Sequence, residues 1–283
     1  MLTKLIFINV GVFIVVFFIS LFIPETVQYI SVPGNFGALL KRPWTLLTYM
    51  FVHEGFWHLL MNMLWLFWFG KMFLLYFTDK QMSAVYLIGG FAGAFLHLGI
   101  NYLLPSGQQV MILGASAAVM SVVFAVVVYK PDFIINLIFI GPVKIKYIGI
   151  IAFLLDFMGL LGNLKGGIAA SDGIAHTAHI GGAAFGLWFG YSMKKGADIT
   201  RAFNNFLNNI FSVFSSKNSI SHRMKISRAD KFSRPKPASD WDYNSQKADR
   251  QKEIDRILDK ISKKGYGSLS KKEKDFLFKQ KKD

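Results

Sequence analysis

The sequence predicts an all-α membrane protein, a bundle of six transmembrane helices with a small helical tail on the cytoplasmic side. Composition is the first observation behind it. Of the 283 residues, 53% are hydrophobic and 17% charged, and the mean hydropathy is +0.37, a balance foreign to ordinary soluble domains. Second, apolar runs recur through the first 193 residues, most of them near spanning length. Third, charge is unevenly divided. Residues 1–193 carry 9 Lys/Arg and 6 Asp/Glu, whereas residues 194–283 carry 23 and 11, so +12 of the net +15 belongs to the tail. The chain has no cysteine, which excludes disulfides, thiolate metal sites and a thiol nucleophile.

Taken in order, Leu5–Ile23 supplies nineteen almost wholly apolar residues, enough at about 1.5 Å per residue to cross the hydrocarbon core. Lys4 before it resembles the start of a signal peptide. The run is long, however, and no small-x-small site precedes Pro24, so it reads as a retained first span. Residues 24–57 form a mixed loop, partly interfacial, with Pro33-Gly34 and Lys41-Arg42 among apolar clusters too short to cross. The second and third spans cover 58–77 and 84–103. The fourth, 115–129, is short. It falls about 7 Å below the length a span needs, so the loop 105–113 must dip to meet it, and Ser116 lies beneath the headgroups. Phe133–Ile140 is an apolar run ended by Gly141-Pro142, too short to span and read as interfacial. The fifth span covers 147–161, and a glycine-rich connection, 162–173, leads to the sixth, 175–191. There Gly182, Gly186 and Gly190 recur every four residues, a row that lets another helix approach closely.

Lys4, Lys80, Lys130, Lys144, Lys146 and the tail fall on one side of this arrangement, against Lys41, Arg42 and Lys165 on the other. Both termini are therefore expected in the cytoplasm. Ser116 then opens toward the outer side.

Polar side chains in apolar spans are costly and mark functional candidates. Here they are His58 and Asn62, His97, Asp156, and the pair His176 and His179. His58 and Asn62 are four residues apart and share a helix face, as do His176 and His179, three apart. A serine attacking a carbonyl needs a base within hydrogen-bond reach and donors for the oxyanion. Small residues at Ala117, Gly182 and Gly186 allow the fourth and sixth helices to pack so that His179 serves as that base. His58, Asn62 and the Ser116 backbone N–H are then the donors. The other reading is that each polar residue is only a packing hydrogen bond between helices.

Competing chemistries fare worse. His53-Glu54-Gly55-Phe56-Trp57-His58 has one residue too many for a zinc-protease motif. The second histidine is turned about 140° from the first, so one helix face cannot present both to a metal. No metal and no cofactor are expected. An aspartic mechanism needs two carboxylates sharing a proton, and Asp156 is alone in a span, with Asp172 in a loop. Asp172, seven residues before His179, reads as a solvated loop acid rather than a third catalytic member. His97 reads as a satisfied packing or interfacial histidine. A proton-conducting transporter would need ionisable residues along the inner half of the bundle, where Asp156 is the sole candidate.

Three segments in order, His58-Leu59-Leu60-Met61-Asn62, Gly114-Ala115-Ser116 and Ala178-His179-Ile180-Gly181-Gly182, resemble those of the rhomboid family of intramembrane serine proteases. The resemblance covers residues 1–193. It implies a six-helix rhomboid protease domain, a Ser116/His179 catalytic dyad without an acid, and an oxyanion site of His58, Asn62 and the Ser116 amide. It also implies transmembrane proteins as substrates, cut near the outer ends of their spans, and residence in a bacterial inner (plasma) membrane. His53, Gly114, Met120, His176 and Gly182 are expected as supporting residues. Trp44 and His53 fall where the family's first loop has a tryptophan and a histidine. The sequence departs from the pattern at Thr45, where arginine is common, at Ala117, where glycine is common, and at Met120, where an aromatic stacks on the catalytic histidine. Methionine can still touch a ring edge. A non-catalytic rhomboid-like protein that binds membrane clients is the alternative, and the presence of both Ser116 and His179 argues against it.

After the bundle the chain turns polar. Residues 194–244 read as a basic, largely flexible linker, with Arg234-Pro235-Lys236-Pro237 within it. Residues 245–283 read as a small helical hairpin: Ile254, Ile257, Leu258 and Ile261 repeat at helical spacing, and Ser270-Lys271-Lys272-Glu273 is a capping box. This tail resembles a short C-terminal module of some bacterial rhomboids. Its charge favours anionic lipid at the cytoplasmic leaflet, and no motif points to nucleic acid.

Overall fold

The computed structural model describes residues 1–103, 110–137, 140–164 and 175–214, and in the C-terminal region 253–257, 259–261, 266–270 and 273–274. The chain divides into two compact units, Met1–Lys217 and Asn218–Asp283. The first opens with α1 (Leu2–Ser20). Three short helices follow, α2 (Thr26–Ile30), α3 (Phe36–Lys41) and α4 (Thr45–Thr48), then a 3₁₀ turn at Tyr49–Phe51. The stretch read as a loop is thus locally ordered. Asn35 caps α3 by accepting from the Ala38 N–H at 2.8 Å, and the Trp44 indole donates to Tyr29 O at 2.9 Å.

The bundle continues with α5 (Phe56–Leu74), α6 (Asp79–Leu103) and α7 (Ser116–Tyr129). It closes with α8 (Ile145–Leu164) and α9 (His176–Lys194). Among the described residues, three helical stretches, all of α1, all of α6 and Ile145–Gly162 of α8, are long and apolar enough to cross a membrane. α7 is a shorter apolar helix. α5 and α9 lie where the second and sixth spans were expected, but His58, Asn62 and Lys71 in one, and His176, Thr177, His179 and glycines in the other, dilute their apolar character.

The bundle centres on α7 and α9. A methyl group on Gly182, Gly186 or Gly190 would run into the carbonyl oxygen of Ala117, Ser121 or Ala125 respectively, so the two main chains touch once per turn. α6 closes on the same pair: a methyl on Gly93 would meet Ala117 and the Ala178 carbonyl. The Ser121 hydroxyl lies 2.8 Å from Val85 O and 2.7 Å from Ala118 O. Hence a hydroxyl in the middle of α7 is fully buried and satisfied. α8, by contrast, leaves Ile151, Leu154, Leu155 and Met158 exposed.

Two segments differ from expectation. The interfacial run contains β1 (Ile134–Leu137), antiparallel to β2 (Gly141–Lys144), with Ile134 opposite Lys144 and Leu137 opposite Gly141. Gly141 at φ +86 serves the turn, and adjacent β-branched residues favour the extended chain. Beside the hairpin the exposed Asp132 carboxylate accepts from Lys146 at 2.9 Å and Lys144 at 3.1 Å. Those bonds hold its carboxyl below the ordinary range.

Within the stretch read as linker, residues 201–214 form α10 (Arg201–Phe214). Phe203, Phe206, Leu207 and Ile210 recur at helical spacing in it. Gln81 Nε2, at the start of α6, donates to Asp198 Oδ2 at 2.9 Å just before α10. In the second unit Ser270 N–H donates to Glu273 Oε2 at 2.7 Å and the Glu273 N–H reaches Ser270 Oγ at 3.4 Å. That reciprocal pair is the capping box. The Ser270 N–H, with Lys260, brings the Glu273 carboxyl down to about 2. The loop 104–109, the connection 165–174 with Asp172, residues 215–244 and most of the expected hairpin lie outside the described residues.

Candidate functional site

Ser116 is the first residue of α7. The chain reaches it through a braced loop: Val32 and Ile112 exchange backbone hydrogen bonds at 3.0 Å, and Gly114 N–H donates to Tyr49 O at 3.0 Å. Tyr49 is anchored in turn by its hydroxyl, which donates to Gly90 O of α6 at 2.6 Å. Gly114 takes φ +116, a conformation L side chains avoid, and a Cβ there would lie 2.8 Å from His58 Nε2. Only glycine lets the loop pass this close to His58. The first backbone N–H groups of α7, Ser116 included, have no intrahelical acceptor and point to the helix N-terminus.

His58 and Ser116 line a cleft of about 840 Å³ together with Asn62, Met120, Asp156, His176 and His179. The two spaced pairs and the serine, drawn from three helices, are thus brought to one place. Asn62 is buried and donates to His58 O at 2.9 Å within α5. Among the described hydrogen bonds none joins Ser116 Oγ to His179. The two line the same cleft, and Gly182 of α9 sits against Ala117, the residue after the serine.

One relation in the cleft leaves no pattern in the sequence. Asp156 Oδ1 on α8 accepts from Nδ1 of His179 at 2.8 Å and from Nδ1 of His176 at 2.9 Å. The Asp156 side chain is 10% exposed. Because a carboxylate only accepts, both imidazoles present N–H at Nδ1. The expectation of an acid-free Ser116/His179 pair therefore meets a geometry in which an acid touches the histidine. Spacing identified Asp156 as a costly residue in a span but not its partner, since no periodicity links α8 to α9. Gly159, one turn on, was a usable signal: a Cβ there would strike the His176 ring. Asp156, His176 and His179 are also the one cluster among the described residues whose donor atoms could jointly hold a cation, all within 4.8 Å of one another. Their observed contacts are those of a carboxylate accepting two N–H bonds.

The remaining candidates have structural settings. His53, in the loop between the 3₁₀ turn and α5, is buried with its ring edge-on to His58, centroids 5.2 Å apart. Burial, with His58 beside it, brings the His53 imidazole down to about 4 and keeps it neutral. His97 is a satisfied packing histidine: Nε2 donates to Val110 O at 3.0 Å and Nδ1 lies 2.7 Å from Thr177 Oγ1. Met120 lines the cleft one turn below Ser116.

A helical bundle of membrane-spanning character, with serine, histidine and amide side chains converging on one internal cleft, defines a class of integral membrane protein with a polar site among its helices. The sequence profile of the Rhomboid domain matches residues 40–196, more than half of the chain, and the chain belongs to the rhomboid family. It is 30% identical over 165 residues to Rhomboid-related protein 1 of Caenorhabditis elegans, covering 57% of this chain and 44% of that one. The chain thus spans less than half the length of that relative. Residues 239–279 match a family of unknown function, DUF6576.

Proposed function

We propose that this rhomboid-family protein is an intramembrane serine endopeptidase that hydrolyses peptide bonds in or near transmembrane segments of other membrane proteins. The observation that carries the reading is the convergence of Ser116, His179, His58 and Asn62 on one cleft, with Ser116 and His179 on helices whose main chains touch. Ser116 Oγ attacks the scissile carbonyl carbon as its proton passes to His179 Nε2, and the carbonyl π pair moves to oxygen. His58, Asn62 and the Ser116 N–H stabilise that oxyanion. The C–N bond then breaks as His179 returns the proton to the departing amine, and water repeats the sequence on the acyl-enzyme. No cofactor enters these steps.

In the same reading the six helices α1 and α5–α9 all span the bilayer, with α5 and α9 tolerating polar residues because these face the cleft. Positive charge in the inner loops and the tail supports cytoplasmic termini and a cleft opening outward. The membrane is a bacterial plasma membrane, where the basic tail meets anionic lipid. Cleavage of a reconstituted transmembrane reporter, with fluorophosphonate labelling, tests the assignment. Wild type should cut and label, while Ser116→Ala and His179→Ala should do neither. Equal processing by all three would remove the Ser116/His179 dyad, and a wild type that neither cuts nor labels would leave a client-binding rhomboid.

A further inference from the structure

We propose that Asp156 is a positioning residue for the reaction, holding His179 in the one tautomer that can take the serine proton. The inference rests on the peptidase reading and adds an acid to it. Its basis is the bond from His179 Nδ1–H to Asp156 Oδ1 at 2.8 Å, made by a carboxylate buried in an otherwise apolar stretch of α8. With the proton fixed at Nδ1, the lone pair is at Nε2. That is the nitrogen free to accept from Ser116 Oγ, while the carboxylate stabilises the imidazolium formed when it does.

Two further features show a built arrangement rather than a chance contact. His176 donates from its own Nδ1 to the same oxygen at 2.9 Å, so the carboxylate is held from two points on α9 and cannot swing away from His179. Gly159, three residues after Asp156, leaves the space that the His176 ring occupies. Met120, which lines the same cleft one turn below Ser116, is a flexible thioether without directional hold. The acid supplies the orientation that the thioether does not. An unpaired carboxylate in a span is costly, and two N–H donors account for its being there.

Asp156→Asn discriminates this role from structural support. The amide nearly matches the carboxylate in shape and can still bond an imidazole. It can also donate to Nδ1, which puts the ring proton on Nε2, where it cannot accept from serine. Expected for the full chain in vesicles is a fall in reporter kcat of about 10²-fold or more with KM little changed, and an equal fall in the fluorophosphonate labelling rate. Asp156→Glu should recover part of the loss. Imidazole ¹⁵N spectra of wild type should show the His179 proton on Nδ1. This readout needs no variant to fold, and a proton on Nε2 would overturn the proposal. So would wild-type kcat and labelling in Asp156→Asn. A chelator should leave activity unchanged; a loss restored by zinc would assign the three donors to a metal instead. A wild type that neither cuts nor labels removes the peptidase reading and this inference together. An active wild type with an unimpaired Asp156→Asn removes this inference alone.

Discussion

Asn62 separates what a side chain does for the helix from what it does for the cleft. One of its amide hydrogens bonds the His58 carbonyl at 2.9 Å, a bond that any α5 conformer can forgo because that carbonyl has its own helical donor. On the peptidase reading its other hydrogen serves the oxyanion. Asn62→Ala should therefore lower kcat by up to roughly 10²-fold, with the melting temperature close to that of wild type. Unchanged turnover would remove Asn62 from the donor set. At this scale the sequence was readable wherever two groups lie on one helix. The pairs His58/Asn62 and His176/His179 follow from spacing, and the place of Ser116 at the start of a short apolar helix follows from the length of its run. Asp156 was visible as an expense without a payee, because its bonds run between α8 and α9. The hydrogen bonds of His97 to Thr177 and Val110 likewise join segments that no local pattern connects.

Among the elements, α7 and α9 depend on each other most closely. Gly182 and Gly186 face carbonyl oxygens of α7 rather than flexible side chains, so an added group has nowhere to go. Gly182→Val should force the helices apart and cost about 1–3 kcal/mol or more, read as a lowered melting temperature with a loss of reporter cleavage. A valine variant as stable and as active as wild type would show that the contact does not set the geometry. The glycine row was legible because its four-residue spacing is a packing signal in its own right. α10 was not, since asparagines and flanking basic residues set the average composition of that stretch while Phe203, Phe206, Leu207 and Ile210 carry the helical period. The hairpin of β1 and β2 escaped notice for a related reason: a continuous apolar run does not distinguish a short strand from an interfacial segment.

For the molecule as a whole, the division at Lys217 separates the bundle from the remainder of the tail. Removal of residues 218–283 should leave reporter cleavage within about threefold of wild type, since every cleft residue named above lies in the first unit, while lowering affinity for anionic vesicles. A folded but inactive truncation would contradict that modularity. Removal from residue 194 onward is a harsher cut. It takes away the Asp198 partner of Gln81 and all of α10, so the bundle should melt earlier. The first loop, α5 and α7, which carry Ser116, its brace, His58 and Asn62, leave the ribosome well before α9. On the peptidase reading, a growing chain that has not yet reached residue 176 has a nucleophile but no base. Synthesis order would then act as a safety catch, with the capacity to cut arising only when the last helix of the bundle is in place.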